Sequence, residues 1–138
     1  MKELIIYHHL GLGDHFDCNG IVRYLLEKKK YDRVVIPAKN FLSYMVEDMY
    51  RDDPRIEVLG INSKDERGND TLSIELSEVS SYSYRNNIPI LKIGFENYIP
   101  EVNPNKNCWE YFYDQLNIPY EIRQEYFKYE RDEQEEKR

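Results

Sequence analysis

The sequence predicts an α/β fold in which short buried strands alternate with helices and pair in a mostly parallel sheet. Three observations predict it. Short apolar, β-branched runs recur at residues 3–10, 33–38 and 55–61. Between them lie two stretches whose apolar residues follow helical spacing. The connections are only a few residues long, which suits right-handed β-α-β crossovers. With 138 residues, 41% of them hydrophobic and 33% charged, the chain holds one compact domain rather than two.

Residues 3–10 (ELIIYHHL) read as a buried strand running into Gly11-Leu12-Gly13-Asp14, where the two glycines predict a tight turn with positive φ. From His15 to Lys30, the residues Ile21, Val22, Leu25 and Leu26 mark a helix, and Lys28, Lys29 and Lys30 complement the negative end of its dipole. Residues 33–38 (RVVIPA) form a second buried strand that Pro37 brings to an end. Asn40 is the expected N-cap of a helix over 41–51, with Leu42, Met45, Val46 and Met49 on its apolar side. Asp52, Asp53 and Pro54 stop it, and residues 55–61 (RIEVLGI) are the third strand.

Residues 62–71 (NSKDERGNDT) are a charged surface loop. In residues 72–79 (LSIELSEV) the alternation of Leu72, Ile74 and Leu76 favours a strand over a helix. Pro89 introduces a further strand over 90–95 (ILKIGF), and residues 108–116 (CWEYFYDQL) form a short aromatic helix stopped by Asn117-Ile118-Pro119. A last helical pattern covers 121–137 and ends almost wholly charged, as a frayed end or a linker helix would. The expected division is therefore an α/β domain over 1–120 and a charged C-terminal helix or linker over 121–138.

Composition narrows the functions. Nineteen Lys and Arg against 26 Asp and Glu give a net charge of −7, which disfavours nucleic acid and anionic membrane surfaces as partners. No apolar run approaches the ~20 residues of a membrane span, and the N-terminus does not read as a signal peptide, so a cytoplasmic location is expected. Cys18 and Cys108 show no ligand spacing and read as reduced thiols. Thirteen of the 19 aromatic residues are Tyr, which suits half-buried rings with wet hydroxyls or a surface that meets sugars or a partner domain.

One constellation carries chemistry: a strand, the Gly11-Leu12-Gly13-Asp14 turn, then a helix. Glycines at 11 and 13 let a ligand approach the backbone, and Asp14 stands at the carboxyl edge of a parallel sheet, where open α/β folds bind ligands. A carboxylate there either takes a proton from a substrate hydroxyl or serves as the helix N-cap, and the residues alone leave both roles open. A dinucleotide fingerprint fails, because Phe16 stands where a third glycine is needed and Gly20 lies four positions beyond. His8 and His9 are adjacent on a strand and point to opposite faces, so no metal site is expected. His9 or His15 beside Asp14 would orient a substrate or tune the carboxylate. Asn19 and Arg23 lie one helical turn apart and are candidates to reach the same cleft. Lys39, at the end of the second strand, is the candidate to hold an anionic group.

The stretch IIYHHLGLGDHFDCNGIVRYLLEKKKYDRVVIPAK resembles the N-terminal segment of GT-B glycosyltransferases, especially the ADP-heptose:lipopolysaccharide heptosyltransferases. Those proteins open with a strand, a glycine-containing turn ending in Gly-Asp and a helix; Gly13-Asp14 matches that pair. The resemblance covers about the first sixty residues. The segments YMVEDMYRDDPRIEVLGI and YFYDQLNIPYEIRQEYFKYERDEQEE are also similar to bacterial and viral glycosyltransferase-like proteins. It implies a Rossmann-like three-layer α/β/α sandwich that binds a glycan acceptor, with Asp14 as the base. It further implies no cofactor beyond a nucleotide-sugar donor held mainly by a second domain, so that hexosyl or heptosyl transfer requires a donor-binding half. The alternatives are a non-catalytic Rossmann-like module and a homodimer in which a second copy covers the exposed face.

Overall fold

The computed structural model describes residues 1–94 and 108–129. Four strands, β1 (Glu3–Tyr7), β2 (Arg33–Lys39), β3 (Ile56–Ile61) and β4 (Ile90–Lys92), form a sheet in the order β3-β2-β1-β4. Every pairing is parallel, with Leu4 opposite Val34, Val34 opposite Ile56 and Ile6 opposite Leu91. The helices are α1 (Leu12–Lys28), α2 (Ser43–Tyr50), α3 (Leu72–Asn86), α4 (Cys108–Gln115) and α5 (Ile122–Glu125). The result is the expected Rossmann-like α/β architecture.

The side-chain period of two divides the strands between two cores. Leu4, Ile6, Val34, Ile36 and Ile56 pack against Ile21, Val22, Leu25 and Leu26 of α1, Val46 and Met49 of α2, and Phe112 and Tyr113 of α4. Ile5, Tyr7, Val35 and Ile61 face the other way and meet Val79 of α3. Two successive right-handed crossovers put α1 and α2 on one side, and the return from β3 to β4 carries α3 across the opposite side.

Several elements differ from expectation. β1 stops at Tyr7, and α1 begins at Leu12, so Leu12-Gly13-Asp14 is the first helical turn and not a separate loop. α2 starts at Ser43 with Leu42 at its N-cap, while Asn40 lies in the preceding turn and its carbonyl accepts the Ser43 hydroxyl. α5 is a single turn; the rest of the expected C-terminal helix beyond residue 129 lies outside the described residues, as does the end of the predicted strand at Phe95.

The largest difference is α3, a fifteen-residue helix where alternation predicts a strand. Its inward stripe is Glu75 and Val79, with Tyr82 and Ser83 partly covered, whereas Leu72 and Leu76 face solvent. A buried carboxylate occupies the position a hydropathy pattern reserves for an apolar residue, so the helical period is hidden. Thr71, in an extended conformation, opens the helix, and Asn87 closes it in the left-handed region at φ 54°. Among the described residues, no helix is long and apolar enough to cross a membrane.

Candidate functional site

In the order β3-β2-β1-β4 the chain reverses direction between β1 and β4, and ligands of open α/β sheets bind beyond the carboxyl ends of strands at such a point. Residues 8–11, the start of α1 and Gly94 converge there. The positive φ expected of the glycines belongs instead to Leu10, at 65°, whose amide N–H donates to Nδ1 of His8 at 3.0 Å. Leu10 is wholly buried, so its side chain anchors the turn that a glycine would only have permitted.

Gly11 is the N-cap of α1, extended at φ −72° and ψ 156°, and its N–H donates to Oδ2 of Asp14 at 3.1 Å. Asp14 is thus the third residue of the helix rather than its N-cap, and makes the returning half of a capping box whose first half a glycine cannot supply. A Cβ on Gly11 would stand 2.9 Å from Oδ2, so glycine is what lets the carboxylate fold back onto the amide. Gly13 differs: a Cβ there meets no heavy atom within 4 Å. It is exposed on the first turn, next to the half-buried Asp14 and Leu12.

The three histidines separate. His9 is exposed and stacks on Phe112, with ring centroids 5.7 Å apart, at the mouth of the crevice. Gly94, at φ 90°, passes so close to His9 that any Cβ would collide with the imidazole, and its N–H donates to Oε1 of Gln115 at 2.9 Å. His8 and His15 are buried beneath the turn, their rings edge to face at 4.4 Å. Neither nitrogen of His15 has a hydrogen-bond partner among the described residues, and burial pushes its pKa down to about 4. His8 lies well below its ordinary value for the same reason, reinforced by His15 and then His9. Both are neutral inside the fold, and His15 is closed to a ligand.

Asn19 and Arg23, the candidates on the next turns of α1, are engaged by the C-terminal segment. Asn19 donates to the carbonyl of Lys128 and accepts its N–H, both at 3.0 Å. Arg23 forms a two-pronged pair with Asp52 at 2.7 and 2.9 Å and also donates to the carbonyls of Met49 and Lys128. Burial pushes the Asp52 carboxyl up, but Arg23 outweighs this and holds it below the usual range. Lys39 lies at the end of β2 as expected and faces Asp70 at 3.7 Å, which Lys64 and the Ser63 hydroxyl also hold. Gly20 serves packing: a Cβ there would sit 2.8 Å from the carbonyl of Ile122 and 2.9 Å from Cα of Arg123. Among the described residues, no cluster of His, Cys, Asp or Glu is placed to hold a metal ion.

No model of a known protein family, no curated protein and no solved structure matches this chain.

Sequence reasoning passed over two parts of the site. Tyr7, the last residue of β1, donates its hydroxyl to Oε1 of Glu75 at 2.8 Å, a buried bond that ties the start of α3 to the crevice edge. Burial and then Glu75 push the Tyr7 hydroxyl far above its ordinary pKa, so it stays a donor. Asp17 is buried and receives Nε and Nη2 of Arg123 at 2.7 and 2.6 Å, while its carbonyl accepts the Tyr113 hydroxyl at 2.6 Å. Burial raises the Asp17 carboxyl and Arg123 opposes the rise. The sequence signal for Tyr7 is a Tyr beside two His in the first strand. Nothing local links Asp17 to Arg123.

Proposed function

We propose that these residues form the acceptor-side half of an inverting GT-B glycosyltransferase. Asp14 receives the proton of a glycan hydroxyl as that oxygen attacks the anomeric carbon of a nucleotide sugar. The new C–O bond forms as the bond from the anomeric carbon to the phosphate breaks, and the nucleotide leaves with the electron pair. A donor-binding half holds the nucleotide sugar.

The observation that carries this reading is the pairing of Asp14 with Gly13. The N-terminus of a long helix at a switch point ordinarily favours phosphate, through its free N–H groups and the positive end of its dipole. Here Asp14 takes the Gly11 N–H and adds negative charge, which repels a phosphate and suits a hydroxyl. Gly13 in a helix costs about 0.5–1 kcal/mol relative to Ala, and no packing contact requires it. Open space over a backbone beside a carboxylate is what a hydroxyl-bearing ligand needs. His9 sits at the same mouth, exposed and held by its stack on Phe112.

A second reading, a non-catalytic binding module, is favoured by the same Gly11–Asp14 bond, because it gives the carboxylate a structural occupation. Sugar transfer from a panel of nucleotide sugars to simple glycans separates the two, measured on the chain together with a donor-binding half. Turnover that disappears in Asp14→Asn supports the base. Turnover unchanged in that variant removes it, and glycan binding at the Gly13 amide without turnover points to the module.

A further inference from the structure

Beside the crevice, on the flank of α1, lies a cavity of about 360 Å³ lined by Phe16, Arg123, Gln124 and Phe127. Its size is at the lower end of small-ligand sites. Phe16 and Phe127 leave 36% and 41% of their surface exposed. Phe16 is stacked on Phe127 at 6.2 Å and on Tyr129 at 6.1 Å, with ring planes within 24° and 10°. The Tyr129 hydroxyl bonds Asp48, which fixes the outer ring of the stack. Two separate segments thus bring together near-parallel aromatic rings that each stay more than a third exposed, where single exposed rings would need no explanation.

The polar side of the cavity is neutral. Arg123 gives Nε and Nη2 to the buried carboxylate of Asp17, so the pair carries no net charge, and Gln124 adds an uncharged amide. A neutral polar edge opposite aromatic faces selects a ligand that is flat and apolar on one side and rich in hydroxyls on the other. The electron-rich ring faces attract the weakly positive C–H groups of such a ligand. Its oxygens meet guanidinium and amide donors.

We propose that this cavity binds one pyranose ring of an uncharged glycan, its C–H face against Phe16 and Phe127 and its hydroxyls toward Arg123 and Gln124. The position fits an acceptor subsite, since Asp17 lies one helical turn after Asp14 and the two charges interact. Assigning the bound sugar to an acceptor rests on the glycosyltransferase reading, whereas the binding itself does not.

The test is an amide titration of the ¹⁵N-labelled chain with the methyl glycosides of glucose, galactose, mannose and N-acetylglucosamine, with uridine as a planar aromatic control. At least one glycoside is expected to move the Phe16, Gln124 and Phe127 amides and the Arg123 Nε–H. Phe127→Ala is expected to weaken that binding roughly tenfold or more, and Gln124→Ala to weaken it less. Phe41→Ala, which removes an exposed ring elsewhere, is expected to leave it unchanged. Silence from all four glycosides, a response to uridine alone, or full binding by Phe127→Ala overturns the proposal. Glycoside shifts that Phe127→Ala abolishes, in a chain that transfers no sugar with its donor half, uphold the subsite and remove the enzyme reading. Transfer that Asp14→Asn abolishes and Phe127→Ala leaves intact does the reverse.

Discussion

Helix α1 joins two regions of opposite character. Over Asp17, Asn19 and Arg23 its polar side chains are engaged by Asp52, just after α2, and by the C-terminal segment, through one buried and one half-buried ion pair and a two-way amide clasp. Over Leu12, Gly13 and Asp14 the same helix faces open space and spends one carboxylate oxygen on one amide. Dense polar engagement marks a region that holds the fold; a costly glycine with nothing packed against it marks a region kept open. The two can be separated by substitution, because damage to the first should appear as lost stability and damage to the second as lost binding.

The largest effect is expected at Arg23. Its pair with Asp52 is almost wholly covered, with side-chain exposures of 7% and 5%. Arg23→Ala leaves the buried carboxylate with Lys128, at 3.6 Å, as its remaining cation among the described residues. Removal of one partner of such a pair costs about 3–5 kcal/mol, read as a lower urea midpoint. If glycan binding at the Gly13 amide fell while the midpoint held, the division between holding and open regions would be broken.

Next in size is an acid-sensitive lock beneath the turn. His15 is neutral in the fold, without a hydrogen-bond partner among the described residues, and has a pKa of about 4, against 6.5 for the ordinary group. Between these values the unfolded chain binds a proton that the folded chain refuses, so stability rises with pH across the window and is lost as pH falls from 6.5 to 4. The span corresponds to about 3 kcal/mol for this one residue, with His8 acting in the same direction. In His15→Leu the unfolding free energy should fall less steeply over that range. Equal slopes in both proteins would show that His15 is not what makes the turn sensitive to acid.

How much of this could be read from the sequence depends on how far each cause reaches along the chain. β2, β3, α1 and α4 were legible because their periods are local, although β2 runs through Pro37, where the sequence predicts its end, and pairs with β3 as far as Lys39. α3 was not, because the residue it buries deepest at its start is Glu75, whose partner Tyr7 lies 68 positions away. The strand and the helix around Gly13-Asp14 were legible, but the turn between them was misplaced: Gly13 and Asp14 are already helical and the positive φ falls on Leu10. Asn19 and Arg23 stand out in the sequence as candidates for the cleft, whereas in the fold both are engaged by Lys128. Their partners at Lys128, 109 and 105 positions on, could not be found by spacing. The aromatic cavity escaped for the same reason, since Phe16 and Phe127 come from opposite ends of the chain.

Gly20 sharpens the comparison at a smaller scale. Gly20→Ala places a methyl group against the backbone of Ile122 and Arg123 at under 3 Å, where no flexible side chain can yield. Overpacking of this kind costs about 1–3 kcal/mol, offset by up to ~1 kcal/mol from the better helix propensity of Ala. The net loss should come with a moved Arg123 Nε–H signal, since α5 has to retreat from α1. An unmoved signal would mean that α1 and α5 absorb the methyl group without disturbing the Asp17–Arg123 pair.

The smallest effect is the most informative, because its sign reverses between the two measurements. Gly13→Ala adds a methyl group with no atom within 4 Å and removes backbone freedom from the unfolded chain. Stability should therefore rise by about 0.5–1 kcal/mol, a gain the natural sequence forgoes. If a sugar hydroxyl approaches Asp14 across that backbone, the same methyl group stands in its way and weakens the binding of acceptor glycans. A variant that is more stable and still binds fully would make Gly13 incidental, and with it the strongest local argument for Asp14 as a base. A variant that is more stable and binds poorly would show that the open turn is kept for a ligand, at the expense of the helix that carries it.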